Sequence, residues 1–142
     1  MKTTLVQAEQ VDRKWLLIDA AGKPVGRLAA KIAHLLRGKN KVTFSPSIDG
    51  GDFVLVINAA KVKLTGNKET QKTYEHFTGF PSGLKTFVAS EVRRNNPARM
   101  IEQAVTGMMP KNHQTRVQLK RLKVYAGAEH PHVAQQPQPL DI

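Results

Sequence analysis

The first third of the chain has the hydrophobic pattern of a strand followed by a helix. Residues 14–19 are apolar between a lysine and an aspartate, which predicts a short buried strand, and residues 20–25 turn the chain. Apolar residues then recur at helical spacing from Val25 to Leu36, and Gly38 is a favourable point for that helix to end. A strand followed by a helix is a typical opening of an α/β domain.

The middle of the chain predicts two strands that differ in exposure. Residues 53–59 form a continuous apolar run rich in β-branched side chains, which is typical of a central strand covered on both faces. Residues 61–65 alternate polar and apolar side chains, as a half-exposed strand does. Residues 73–83 contain two glycines and a proline, and they predict an irregular loop after a short strand.

The last third predicts a helix, a strand and an extended end. Residues 90–95 are weakly helical, and Asn96 followed by Pro97 indicates the start of a second helix. Its apolar stripe consists of Met100, Ile101, Ala104, Val105 and Met108. Residues 122–125 alternate again, which predicts a strand with Leu122 and Val124 inside.

The 142 residues, of 15.7 kDa, suffice for a single domain with a core of its own. We expect one α/β domain over residues 1–129, followed by an extended arm over residues 130–142. The arm holds three Pro and three Gln and almost no charge, so it is expected to lie along a surface with few regular hydrogen bonds.

The charge pattern is the strongest functional signal. Lys and Arg number 22 against 11 Asp and Glu, for a net charge of +11, and 14 of the basic residues lie in three stretches without an acid. In the first stretch, Arg27, Lys31 and His34 share the polar side of the predicted helix. Because solvated faces usually mix both signs, this segregation favours a polyanion as partner, with nucleic acid first and an anionic membrane surface second.

Several classes of protein are excluded by what the sequence lacks. There is no Cys, which excludes disulfides, thiolate catalysis and Cys-ligated metal centres. The longest apolar run, residues 53–57, is far shorter than the about 20 residues that a membrane span requires. The first ten residues lack the basic-then-apolar pattern of an export signal, so we expect a cytoplasmic location.

No strong catalytic or metal-binding constellation stands out, and no cofactor or small-molecule substrate is expected. Asp49 and Asp52 could serve as paired metal ligands, but their Gly-Gly setting favours a tight turn into the next strand. His130 and His132 are separated by a proline and favour a loop over a metal site. His76 could donate to a phosphate or cap its loop.

Two functions besides RNA binding remain open. A metal-dependent nuclease would use Asp49 and Asp52 and would cleave RNA in the presence of a divalent metal. A free DNA-binding protein would bind duplex DNA as tightly as it binds RNA.

The aromatic residues are too few for a groove that stacks on single-stranded nucleic acid. They amount to 6% of the chain, and Tyr74 and Tyr125 are the best placed to stack on bases. The apolar surroundings of four others predict that they belong to the core: Trp15, Phe44, Phe53 and Phe87. No helix-turn-helix or zinc-finger spacing is present, so phosphates and the shape of structured RNA are the favoured target.

Short motifs in a fixed order run through nearly the whole chain. They are Trp15 with Asp19-Ala20, Gly26-Arg-Leu-Ala29, Leu36-Arg-Gly-Lys39 with Lys41, Gly51-Asp52 before Asn58-Ala59, Thr65-Gly-Asn-Lys68, Lys72 with Tyr74, His76 and Thr78-Gly79, Gly107 before Met109-Pro-Lys111, Leu122-Lys-Val-Tyr-Ala-Gly127, His130-Pro-His132 and Ala134-Gln-Gln-Pro137. In this order, they resemble the bacterial L-thirteen family of large-subunit ribosomal proteins. Departures from the family pattern are local, in the 77–83 loop and the 112–116 turn.

The resemblance implies a fold, a partner and an absence of catalysis. The fold is a three-layer α/β/α arrangement around a small, largely parallel sheet, with basic loops and an extended C-terminal arm. The implied function is that of a structural constituent of the large subunit that binds 23S ribosomal RNA (rRNA) early in assembly and contacts neighbouring ribosomal proteins. The residues expected to bind RNA are Arg27, Lys31, Arg37, Lys39, Lys41, Lys61, Lys63, Lys68, Lys72, His76, Lys111, Arg116, Lys120, Arg121 and Lys123. Lys120, Arg121 and Lys123 are expected to form one RNA-facing cluster with Lys111 and Arg116.

Overall fold

The computed structural model describes residues 7–142. The strands are β1 (Trp15–Asp19), β2 (Phe53–Ile57), β3 (Thr73–Phe77), β4 (Leu84–Val88), β5 (Leu122–Val124) and β6 (Gln138–Pro139). The α-helices are α1 (Val25–Arg37), α2 (Lys68–Gln71), α3 (Ala89–Asn95), α4 (Pro97–Met108) and α5 (His113–Leu119), and short 3₁₀ helices span Ala8–Gln10 and Ala59–Lys61. The first six residues lie outside the described residues. The start of the predicted domain and part of the sequence used for the expectation about export fall within these six.

Four strands form a parallel sheet in the order β5-β2-β1-β6. β1 and β2 pair along their full length, from Trp15 opposite Phe53 to Asp19 opposite Ile57. The helix α1 makes the crossover that two consecutive parallel strands require. The predicted fold class is therefore confirmed: a largely parallel sheet with helices packed against it, consistent with three α/β/α layers.

One face of the sheet packs against the helices. Alternate strand residues point to this side, and they are Leu16, Ile18, Val54, Val56 and Leu122. They join the apolar sides of α1 and α4 in a single core that includes Leu28, Ile32, Leu36, Ile101 and Val105. The helix α1 ends as the sequence predicts, because Gly38 adopts a left-handed conformation (φ +73°) and caps it.

The other face of the sheet carries aromatic side chains and the end of the chain. Trp15 stacks on Phe53 with their ring centroids 4.5 Å apart, as expected for paired residues on one face. His132 lies against Trp15 at 5.1 Å and shares a 2.9 Å hydrogen bond with the Tyr125 hydroxyl. The arm thus begins on this face at His132 and reaches the edge of the sheet, where Leu140 N donates to Leu17 O, before its last residues pass beside α1.

The strands β3 and β4 form a separate antiparallel hairpin. Its root packs on the body through Tyr74, which lies in a second apolar cluster with Ala89, Val92 and Met100. The outer part of the hairpin, from Glu75 to Thr86, is largely exposed. The hairpin therefore projects from the body while its root stays anchored.

Two predicted elements were wrong. Residues 61–65 form no strand, since only Lys63 makes an isolated bridge to Pro24. Their alternation arises because Val62 is buried in the main core and Leu64 is partly buried, a pattern that packing beneath a helix also produces. The loop predicted over residues 73–83 is wrong for residues 73–77, which form β3, and correct for residues 78–83, whose glycines and proline form the hairpin turn.

Two helices and two strands, β4 and β6, were missed. Asn112 caps the start of α5, because its side-chain oxygen accepts from Thr115 N at 2.9 Å, and this N-cap residue was the available sequence signal. The four-residue α2 is too short for a periodic pattern. The strand β6 contains a proline, which is tolerated there because β6 is an edge strand. The weak helix over 90–95 and the Asn96 cap of α4 are confirmed.

Candidate nucleic-acid interface

The polar side of α1 presents exposed cationic side chains beside the C-terminus. Arg27, Lys31 and His34 are exposed on successive turns, while the opposite side of the helix is buried. Between them and residues 140–142 runs an open groove of about 870 Å³. The near end of the groove is fixed by an ion pair of 2.8 Å between Lys23 and Asp141. Arg27 and Lys31 remain available for an anionic partner.

A second group of lysines lies next to the start of α1. Lys63 N donates to Lys23 O at 2.9 Å, and Gly22 N donates to Lys61 O at 3.0 Å, so two chain segments run side by side. The side chains of Lys61 and Lys63 are both exposed. Backbone pairing therefore brings basic residues from distant parts of the sequence to one border of the molecule.

A third group surrounds the root of the hairpin. Lys68 begins α2 and Lys72 follows its end, and both line a groove of about 620 Å³ beside α4. The Lys72 ammonium lies 5.3 Å from the centre of the Tyr74 ring, a cation–π distance. His76 is exposed further out on β3, directly opposite Lys85 of β4.

The fourth group belongs to α5 and the residues next to it. Lys111 and Arg116 are exposed and line one groove of about 420 Å³, so the structure brings these two predicted residues together. Lys120 is exposed at the end of α5. Lys123 is half-buried and lies on the sheet face opposite the helices, beside Leu55. The expected single cluster is therefore divided.

Arg121 does not face solvent, and its predicted place in an exposed cluster was wrong. Its side chain is buried and donates two hydrogen bonds to Asp49, at 2.6 and 2.5 Å, and one to Leu36 O at 3.4 Å. Burial raises the pKa of Asp49, but the hydrogen bonds and charge of Arg121 outweigh that effect and lower it below the usual value. The guanidinium thus ties β5 to the loop before β2.

Lys41 is also engaged inside the protein, which corrects its expected availability for RNA. Its ammonium lies 2.6 Å from the Asp52 carboxylate and donates to Asp12 O. Asp52 is buried and also accepts from Lys14 N at 3.1 Å. Because Asp49 and Asp52 each serve a cation of the chain, neither is left as a free ligand for a metal ion.

The remaining predicted residues lie at the C-terminal end of α1. Lys39 is exposed and Arg37 is half-buried. Within residues 7–142, the ion pairs that include predicted RNA-binding residues are those of Lys41 and Arg121. The other predicted cations have no carboxylate partner in this part of the chain.

The aromatic side chains expected to be available for stacking are not exposed, while others are. Tyr74 is buried, where burial raises its pKa above the usual value, and Tyr125 is half-buried against His132. The most exposed aromatic residues are instead Phe77 and Phe80, which lie at the tip of the hairpin, and Phe44, which was expected in the core, is also exposed. The glycines and proline next to Phe77 and Phe80 marked a turn in the sequence, and an aromatic side chain in a turn was the signal available.

The part of the chain that the structure describes holds no group of three or more His, Asp or Glu suited to a metal ion. None of the helices in residues 7–142 has both the length and the hydrophobicity to cross a membrane.

Fold and surface together define a small basic α/β protein that carries unpaired cations on several sides. The family model for ribosomal protein L13 matches residues 13–131. Similar proteins include large ribosomal subunit protein uL13 of Halorhodospira halophila, 55% identical over 142 residues and 100% of both chains. Its counterpart in Geobacter sulfurreducens is 55% identical over 143 residues and 100% of both chains. That of Staphylococcus aureus is 48% identical over 141 residues, covering 99% of this chain and 97% of the relative.

The chain belongs to the ribosomal protein L13 family, and the resemblance seen in its sequence is confirmed. This is a family of ribosomal proteins and is not known as a family of enzymes.

Proposed function

We propose that this protein is a structural constituent of the large ribosomal subunit that binds 23S rRNA through its basic faces and assists early subunit assembly. Its place is in the cytoplasmic ribosome, and its other partners are neighbouring ribosomal proteins. It acts without catalysis, cofactor, membrane contact or small-molecule substrate. The observation that carries the proposal is the full-length similarity to proteins named as large-subunit components.

The distribution of unpaired charge supports RNA as the direct partner. Arg27 and Lys31 border one groove, Lys68 and Lys72 a second, and Lys111 with Arg116 a third. Each cation that meets a phosphate releases a condensed counterion, so spaced cations on a folded body suit a large folded polyanion. Contacts to phosphates do not distinguish one base from another, so the shape of the folded RNA supplies the specificity.

The first test measures where the protein resides and what it binds. In a lysate fractionated on a sucrose gradient, the protein should co-migrate with the large subunit and remain there at moderate salt. Purified protein should bind protein-free 23S rRNA more tightly than 16S rRNA or duplex DNA. Equal affinity for duplex DNA, with no co-migration, would favour the free DNA-binding alternative.

The second test asks whether the basic faces carry the binding. The double variant Arg27→Gln/Lys31→Gln should weaken binding to 23S rRNA, whereas the charge-preserving control Arg27→Lys/Lys31→Arg should retain most of it. Both variants should melt near the wild-type temperature, because exposed substitutions usually cost less than about 0.5 kcal/mol. Cleavage of the RNA on adding Mg²⁺, abolished in Asp49→Asn, would instead favour a nuclease.

A further inference from the structure

The tip of the β3–β4 hairpin exposes an apolar surface in an otherwise polar region. The exposed fractions are 62% for Phe77, 73% for Phe80 and 56% for Leu84. Phe77 and Leu84 are the last paired residues of the two strands, and Phe80 lies in the turn between them. Three large apolar side chains exposed within eight residues of one hairpin tip favour a contact surface over isolated exposed residues.

The turn that carries these side chains has a defined shape. Thr78 N donates to Gly83 O at 3.0 Å, and Gly83 N donates to Phe80 O at 2.9 Å. Gly79 (φ +91°) and Ser82 (φ +60°) both adopt left-handed backbone conformations. A Cβ atom at Gly83 would collide with Thr78 Oγ1 and with the Phe80 carbonyl. The aromatic rings therefore project from a folded turn, which lowers the entropy lost when they are bound.

The charge around the tip is suited to nucleic acid. From His76 to Ser90 the chain contains no carboxylate, and His76 and Lys85 face each other one residue pair below the tip. Glu75, the nearest acid in the hairpin, pairs with Thr86 closer to the body. A phosphate backbone can thus approach the tip without repulsion from a neighbouring carboxylate.

The size of the patch argues against a protein as its main partner. An aromatic side chain buries about 150–250 Å² when fully covered, so two rings and a leucine fall short of the roughly 800 Å² that each side of a stable protein interface contributes. Unpaired RNA bases need far less area, because one ring face binds one base by stacking.

We propose that Phe77 and Phe80 stack on unpaired bases of 23S rRNA. This inference rests on the proposed function and adds a non-electrostatic contact to the phosphate contacts of the lysines and arginines. Leu84 lies directly opposite Phe77 on the same face of the hairpin, while His76 and Lys85 project from the other face, where they can meet phosphates of the same RNA.

The test compares aromatic and aliphatic side chains of similar hydrophobicity in the full-length protein. Phe77→Leu/Phe80→Leu keeps an apolar tip without ring faces, whereas Phe77→Tyr/Phe80→Tyr keeps the rings. Val133→Ala, at an exposed apolar residue distant in sequence, is the control. Binding to protein-free 23S rRNA is measured over a range of salt, and chemical probing identifies the unpaired bases that the protein protects.

The expected result is selective loss in the leucine variant. Stacking of one base on an aromatic side chain is worth roughly 5- to 150-fold in Kd, so this variant should bind at least about fivefold more weakly. A small set of base protections should disappear while the salt dependence stays unchanged, because no charge has been removed. The tyrosine variant and Val133→Ala should bind as the wild type does.

Other outcomes separate this inference from the proposed function. If the wild type fails to prefer 23S rRNA, the proposed function itself is wrong. If the wild type binds and the leucine variant binds equally well with all protections intact, only the stacking proposal is overturned. Normal RNA binding with reduced incorporation into large subunits would also overturn it and would assign the tip to a neighbouring protein.

Discussion

Lys120 and Arg121 are adjacent in the sequence but lie in opposite environments. Lys120 is exposed after α5, while Arg121 is buried with Asp49. The sequence offers no local sign of this difference, because the partner of Arg121 lies 72 residues away. A basic residue in a stretch without acids can therefore form an ion pair that stabilises the fold, and it is then not available to bind a phosphate.

Replacing Arg121 should affect folding, and replacing Lys120 should affect RNA binding. Arg121→Ala leaves the Asp49 carboxylate without its cation and should lower the free energy of unfolding by about 3–5 kcal/mol. Lys120→Ala should change it by less than about 0.5 kcal/mol but weaken binding to 23S rRNA. Urea unfolding and RNA titration of both variants check this pair. Equal stability of the two would contradict the structural role of Arg121.

The ion pair between Arg121 and Asp49 should also make stability depend on pH. The pKa of Asp49 is lowered below 3.8 in the folded protein. A lowered carboxyl pKa contributes stability that is fully present above the unfolded value and is lost as the pH falls through the folded one.

Asp49→Asn should therefore unfold with a weaker dependence on pH below about 4 than the wild type does. Asp141→Asn is the matched control, because Lys23 lowers the pKa of Asp141 but this carboxyl is fully exposed, and exposed pairs contribute little. Thermal melts between acidic and neutral pH measure both. If the melting temperature of Asp49→Asn depends on pH as that of the wild type does, the ionised Asp49 side chain does not stabilise the fold.

At the scale of elements, the sequence predicts a helix or strand correctly where its hydrophobic pattern fits only one way of burying the side chains. The apolar run of β2 and the spacing in α1 each have one physical interpretation, and both elements are confirmed. Alternation over 61–65 has two interpretations, because Val62 and Leu64 can be buried without a pairing strand. The two residues of β6 have no pattern at all, since their strand conformation depends on pairing with β1.

The last thirteen residues both add a strand to the sheet and pack against the body of the protein. Gln138 and Pro139 extend the sheet at β1, while His132 lies between Trp15 and Tyr125 on its aromatic face. Ile142 is partly buried against the main core. The division into a domain over 1–129 and an arm over 130–142 stays a prediction, and deletion can test it.

Removing residues 131–142 should leave the body folded but uncover Trp15, the single tryptophan of the chain. Its fluorescence emission should shift to longer wavelength, because His132 no longer lies against the ring. Incorporation into large subunits should fall in competition with the full-length protein. Removing only residues 140–142 leaves His132 in place and should not cause the shift. Complete unfolding of the longer deletion would show that the arm is part of the domain core.

At the scale of the whole molecule, the sequence predicts how much positive charge the protein carries but not which basic side chains are free to bind RNA. Composition alone indicates a polyanion partner, and segregation of the acids locates most of the basic residues. Tertiary contacts decide which cations are free. Lys41 is not, because it pairs with Asp52 at the other end of the same loop. The sequence placed Phe77 and Phe80 beside a turn but could not establish that their rings are exposed, because the exposure of a turn residue depends on what packs over it.

Binding to 23S rRNA should weaken steeply with salt, since most of the basic residues of the acid-free stretches have no carboxylate partner in the described chain. Lys23, Lys41 and Arg121 are left out of this count, because each already pairs with an aspartate. If half of the other basic residues in these stretches meet phosphates, log K should fall against log salt with a slope of about −4 to −5.

The slope should respond to charge and to nothing else. Arg27→Gln/Lys31→Gln should make it less steep by about 1.4–1.8, because two counterion-releasing contacts are lost. Phe77→Leu/Phe80→Leu should lower the affinity at every salt concentration and leave the slope unchanged. Titrations at four or five salt concentrations with protein-free 23S rRNA give all three slopes. A wild-type slope near −1 would mean that the positive charge serves solubility, and that the shape of the protein carries nearly all of the affinity.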